Sequence, residues 1–126
     1  LEKYFMPYKQ ALALKELGFD EPCLKWFMWR DKGDYQCVSD LYDFPIDENG
    51  GISAPLYQQA FRWFREKYEL EGVTQRAEDF MWYKWIIHRY NENGKKYVAD
   101  WYEYKTYEEA ELECLKKLIE FVKESI

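Results

Sequence analysis

With 126 residues and 48% hydrophobic content, the chain can bury one core without disulfide or metal staples. A net charge of −6 disfavours sequence-independent binding to duplex nucleic acid, which requires a basic surface. Cys23, Cys37 and Cys114 are odd in number and lack CxxC or zinc-ligand spacing, so they read as buried thiols of a reducing compartment.

No apolar run approaches the ~18 residues of a membrane span, and no signal-peptide core is present. A cytoplasmic location without membrane contact is therefore expected, and the start at Leu1 leaves a trimmed terminus open. The first helix opens at Tyr8-Lys9-Gln10-Ala11 and ends at Leu17-Gly18-Phe19. Gly18 supplies the left-handed position after the last turn, and Phe19 the apolar contact that accompanies it. A hairpin follows, from Leu24 to Arg30, around Lys32-Gly33, and back from Tyr35 to Ser39. Leu41 to Gly51 is the longest loop. The second helix begins near Pro55, tolerated in a first turn, and Gly72 is expected to stop it. Tyr57, Ala60, Phe61, Phe64 and Tyr68 share one face; Arg62–Glu66 and Arg65–Glu69 are spaced to pair outside.

The second hairpin has the strongest local signal. Phe80 to Tyr90 is aromatic and β-branched, Asn93-Gly94 is a preferred turn dipeptide, and Tyr97 to Tyr104 returns. Centring the turn on Asn93-Gly94 sets Lys84 opposite Glu103 and Ile86 opposite Trp101. The third helix starts with Thr106-Tyr107-Glu108-Glu109, which fits a capping box. Glu108, Glu109, Glu111 and Glu113 crowd its first turns, and Lys116, Lys117 and Lys123 follow, in keeping with the helix dipole. The acidic run is read as a solvated face, and Leu115, Leu118, Ile119 and Val122 as the buried stripe.

Tyr57-Gln58-Gln59-Ala60 and Tyr107-Glu108-Glu109-Ala110 repeat the helix opening at Tyr8, at intervals of about fifty residues, which suggests a repeated supersecondary arrangement. The resulting order is α-β-β-α-β-β-α: a single α+β domain over residues 1–126, with antiparallel β-hairpins packed against three helices. Whether the four strands share one sheet is left open.

The helical segments Ala11 to Cys23, Ala54 to Tyr68 and Tyr107 to Leu118 resemble a family of small uncharacterised proteins of Bacteroides-type gut bacteria and their phages or integrated elements. The strands and the Leu41–Gly51 loop match it less well. The resemblance implies a phage or mobile-element accessory protein and carries over no activity or catalytic residue. A weaker likeness, to the helix–hairpin–helix of small phage sandwich domains, rests on topology alone.

Familiar chemistry is not in evidence along the chain. The sequence has no nucleophile elbow, P-loop, GxGxxG or HExxH, and its one histidine, His88, sits in a predicted strand without a signature nucleophile or orienting partner. Asp47-Glu48-Asn49-Gly50 is a poor calcium loop, because the closing bidentate position falls on Gln58. No enzyme activity, cofactor or metal is expected.

The remaining candidate is the second hairpin. One face carries Trp82, Lys84, Ile86, His88 and Tyr90 with Tyr97, Ala99, Trp101 and Glu103; the other carries Tyr83, Trp85 and Ile87 with Val98, Tyr102 and Tyr104. Helices can cover one of these in a two-layer fold. The cation-bearing first face is expected to look outward, making Trp82, Lys84, His88, Tyr90, Tyr97 and Trp101 the candidate binding residues. A host or phage protein is the leading partner. Alternatives are a small nucleotide-like ligand, sequestered in an anti-defence role, and, with less support from the charge, single-stranded nucleic acid.

Overall fold

A computed structural model of the protein describes residues 4–29, 35–39, 52–78, 81–91, 94–99 and 103–125. Its elements are α1 (Tyr8–Glu16), β1 (Lys25–Trp29), β2 (Tyr35–Ser39), β3 (Ile52–Ala54), α2 (Tyr57–Tyr68), β4 (Leu70–Arg76), β5 (Tyr83–Asn91), β6 (Gly94–Ala99) and α3 (Tyr107–Ser125). The α+β class, the three helices and both antiparallel hairpins agree with the sequence reading. All three helices begin at the tyrosines that open the repeated segments. β3 and β4 are additional, so each of α1 and α2 leads into three strands rather than two. The strands form two sheets among the described residues, in the orders β2-β1-β3 and β4-β5-β6, so the two hairpins lie in different sheets. The chain divides into two compact units, Leu1–Gln59 and Ala60–Ile126, with the boundary inside α2.

In the first unit α1 ends as its sequence requires. Gly18 has φ 102°, its N–H donates to the Lys15 carbonyl at 3.0 Å, and the Phe19 N–H reaches back to Leu14 at 3.0 Å. This is the Schellman pattern, and the accompanying apolar pair, Leu14 and Phe19, is buried. β1 pairs with β2 in the register Trp29↔Tyr35 to Lys25↔Ser39, consistent with the expected first hairpin. Its turn, and the Leu41–Gly51 loop with Asp47 and Glu48, lie outside the described residues. β3 adds to the other edge of β1. Phe5, Ala11 and Ala54 form a buried cluster with Tyr8, Leu12 and Leu56 packed against it. The Met6 N–H donates to the Pro55 carbonyl at 3.0 Å, tying the N-terminal segment to the end of β3.

In the second unit Gly72 does not stop α2. The helix ends at Tyr68, Glu69 turns the chain with φ 57°, and Gly72 lies within β4. The expected Arg62–Glu66 and Arg65–Glu69 ion pairs are not formed; these side chains are exposed, and Glu69 has left the helix. Lys67 lies instead over the Trp63 ring, with Nζ 5.0 Å from its centroid.

β5 pairs with β4 in the register Leu70↔Arg89 to Arg76↔Tyr83, and with β6 from Asn91↔Gly94 to Ile86↔Ala99. The hairpin closes on Asn91↔Gly94, so Gly94 begins β6 instead of occupying the turn. Ile86 therefore faces Ala99 rather than Trp101. The expected register returns at the far end, where Tyr83 and Tyr104 exchange N–H···O bonds of 2.8 and 3.0 Å. A two-residue shift preserves which side chains share a face.

α3 packs against β4 and β5. Thr106 Oγ1 accepts the Glu109 N–H at 3.1 Å, the first bond of the expected capping box. Cys114, Leu115, Leu118 and Val122 are buried along the helix. Burying leucine or valine in this way contributes about 1.5–3 kcal/mol per side chain. No helix among the described residues is long and apolar enough to cross a membrane.

Candidate functional site

Gly72 fixes which side of the β4–β5–β6 sheet meets α3. A Cβ built on it would stand 2.9 Å from Cys114 Sγ and 3.0 Å from Leu118 Cδ1, so β4 approaches the helix at the one residue with no side chain. Gly72 pairs with Ile87, and alternation puts Tyr83, Trp85 and Ile87 on that same side. Trp85 and Ile87 are buried there. Trp82, Lys84, Ile86 and His88 alternate to the opposite side, and each is partly exposed.

Pairing across the three strands assembles the opposite face in rows. Glu71, His88 and Tyr97 form one row, Val73, Ile86 and Ala99 the next, and Gln75 with Lys84 a third. Of the candidate residues, Lys84, His88, Tyr90 and Tyr97 are thus brought to one face by register. For Tyr90 and Tyr97 only the backbone position is described. Trp82 immediately precedes β5, and its carbonyl accepts the Ala77 N–H at 2.8 Å across the β4–β5 turn. Trp101 lies outside the described residues.

On the β4 side Lys84 stands opposite Gln75, and its ammonium is ion-paired with Glu78. The hydrogen bond from Lys84 holds the Glu78 carboxyl below the ordinary carboxylate range. Glu78 was not singled out from the sequence, since it lies in the turn six residues before Lys84 and matches no helical or cross-strand spacing.

At the α3 end of the sheet three side chains stack. Arg76 lies 5.0 Å from the centroid of the Tyr83 ring, and Tyr83 meets Tyr107 edge-on with centroids 5.9 Å apart. The Tyr107 hydroxyl is pushed up, first by burial and then by the Glu111 charge.

Glu111 corrects the solvated reading of the acidic run. It is half-buried, and burial followed by repulsion from Glu108 pushes its carboxyl up to about 7. Its spacing from Leu115 and Leu118 places it on the buried stripe, a signal the sequence contains but the dipole argument obscures.

The buried thiols of Cys23 and Cys114 are free and pushed up by burial to about 11 and about 12. Both are protonated at neutral pH, which suits packing rather than nucleophilic chemistry. For Cys23, a hydrogen bond with Ser53 opposes the shift without overcoming it. The buried Trp85 Nε1–H has no hydrogen-bond acceptor among the described residues.

No protein-family model matches the chain, and no curated protein or solved structure does.

Proposed function

We propose that the chain is a non-enzymatic interaction module, meeting a protein partner through the face of the β4–β5–β6 sheet that points away from α3. The observation that supports this is the exposure pattern of β5. Trp85 and Ile87 are buried on the α3 side, whereas Trp82, Ile86 and His88 keep part of their surface in solvent on the other. A tryptophan, an isoleucine and a histidine beside an ion pair form an apolar centre with a polar border, the composition from which protein contacts draw their energy. The phage or mobile-element accessory setting rests on the helix resemblance alone.

The nucleotide-binding alternative is less well supported. Lys84, its most central cation, is already paired with Glu78, so a phosphate would have to displace a carboxylate.

Photo-crosslinking residues placed at Ile86 and His88 test the reading in cells. Both should capture the same protein, and Trp82→Ala should abolish the capture while the far-UV spectrum is unchanged. Crosslinkers at the exposed Arg62 and Arg65 of α2 should not capture it. Equal capture from both surfaces would overturn the assignment. Calorimetry against nucleoside mono-, di- and triphosphates tests the alternative, for which heat of binding would have to be seen.

A further inference from the structure

We propose that the seat of α3 on the β4–β5 sheet is controlled by protonation: with the Glu111 carboxyl neutral the first two turns lie on the sheet, and its ionisation releases them. This concerns the sheet face opposite the proposed partner surface and stands apart from that reading.

The geometry begins with helical spacing. Tyr107, Glu111, Leu115, Leu118 and Val122 follow one another at three- and four-residue steps, so they share one side of α3. Leu115, Leu118 and Val122 on that side are buried, and Cys114 beside them meets Gly72. Glu111 is thus a carboxyl in an otherwise apolar and aromatic stripe.

The residues that face α3 from the sheet follow from the Gly72 contact and strand alternation. They are Leu70, Gly72, Thr74 and Arg76 from β4, and Tyr83, Trp85, Ile87 and Arg89 from β5. The charged members on β4 and β5 are the two arginines, both exposed and at opposite ends of the pairing, with Arg76 over the Tyr83 ring, and the register sets Lys96 of β6 beside Arg89. Phe61 comes from α2 to the same Gly72 contact, while the neighbouring Arg62, Arg65, Glu66 and Lys67 are exposed. Within α3, Lys116 pairs with Glu113 and Lys117 with Glu120. Glu108, the Tyr107 hydroxyl and the Cys114 thiol are the titratable groups of α3 that interact with Glu111. Among the described residues no ion pair or hydrogen bond meets the Glu111 carboxyl, and the charge that acts on it is the like charge of Glu108.

A half-buried carboxylate in this setting is desolvated and uncompensated, so ionisation favours a state in which it reaches water. The carboxyl is pushed up to about 7 by burial and Glu108, which puts the transition near neutrality. Release is confined to the first turns, because Cys114, Leu115, Leu118 and Val122 are all at most 2% exposed and hold the rest of the helix.

Amide hydrogen exchange on the full chain, corrected for the intrinsic pH dependence of exchange, is the test. Protection of the amides of Ala110 to Cys114 should fall about tenfold between about pH 6 and about pH 8.5, while that of Leu118 to Val122 holds. Glu111→Gln should keep these amides protected across the range. Glu108→Gln, at an exposed position, should lower the midpoint by removing the repelling charge. Constant protection in the unaltered chain, loss of protection that persists in Glu111→Gln, or an unmoved midpoint in Glu108→Gln would overturn the proposal.

Discussion

Gly72 and Cys114 touch across the β4–α3 interface so closely that a methyl on Gly72 would stand 2.9 Å from the sulfur. The same methyl would meet Phe61 Cε1 at 2.9 Å and Leu118 Cδ1 at 3.0 Å, and Cys114 and Leu118 are fully buried. Gly72→Ala is expected to destabilise the protein by about 1–3 kcal/mol through overpacking, measured by urea unfolding. Cys114→Ala in the same chain should return part of that loss. Strict additivity of the two changes would show that they do not share the contact.

The helix boundaries make a second pair of expectations. Thr106→Ala removes the oxygen that accepts the Glu109 N–H at 3.1 Å, and should cost about 1 kcal/mol. Gly18→Ala places a side chain at φ 102° and should cost about 1–2 kcal/mol, whereas Gly18→Asn should be milder. Thermal unfolding monitored by circular dichroism separates the three variants.

Glu111 gives stability a pH dependence whose sign can be worked out. Its folded value, about 7, lies above the ordinary 4.5, so folding favours the neutral form. The contribution is fully present below about pH 4.5, declines as pH rises, and is lost above about pH 7. Since the carboxyl is half exposed, solvent screening reduces the effect to about 1–2 kcal/mol. Glu111→Gln should therefore stabilise the protein at about pH 8 relative to the unaltered chain and leave it unchanged near pH 4, by chemical denaturation at both values.

Thiol labelling tests the burial of Cys23 and Cys114. Burial pushes these groups up to about 11 and about 12, so little thiolate is present at pH 8 and reagent access is blocked. In a Cys37→Ser chain, a disulfide reagent should modify both only as fast as the protein opens, with labelling accelerated by urea. Immediate labelling in native buffer would contradict their placement.

The parts of this fold that the sequence discloses are those written in short-range chemistry. The helix starts at Tyr8, Tyr57 and Tyr107, the Gly18 stop and the β1–β2 hairpin each depend on neighbours within a few residues. β3 was missed because three residues, Ile52–Ala54, carry too little pattern to read. β4 was missed because no turn dipeptide separates it from α2, and because a glycine inside a strand reads as punctuation until the helix above it is seen. The β5–β6 register depends on whether Gly94 forms the turn or begins the strand, a choice made by backbone pairing rather than composition. Of the candidate surface, the shared face was legible from alternation. The Lys84–Glu78 pair was not, because it spans a turn.

The exit from α2 has an implication for engineering the protein. Glu69 holds φ 57° without being glycine, a backbone state that costs an L-residue about 1–2 kcal/mol. Its side chain is exposed, so the conformation is imposed by the chain direction between Tyr68 and Leu70 rather than by contacts of its own. Glu69→Gly or Glu69→Asn would relieve the strain without disturbing a buried atom, offering a more heat-resistant form of the protein from a single surface codon.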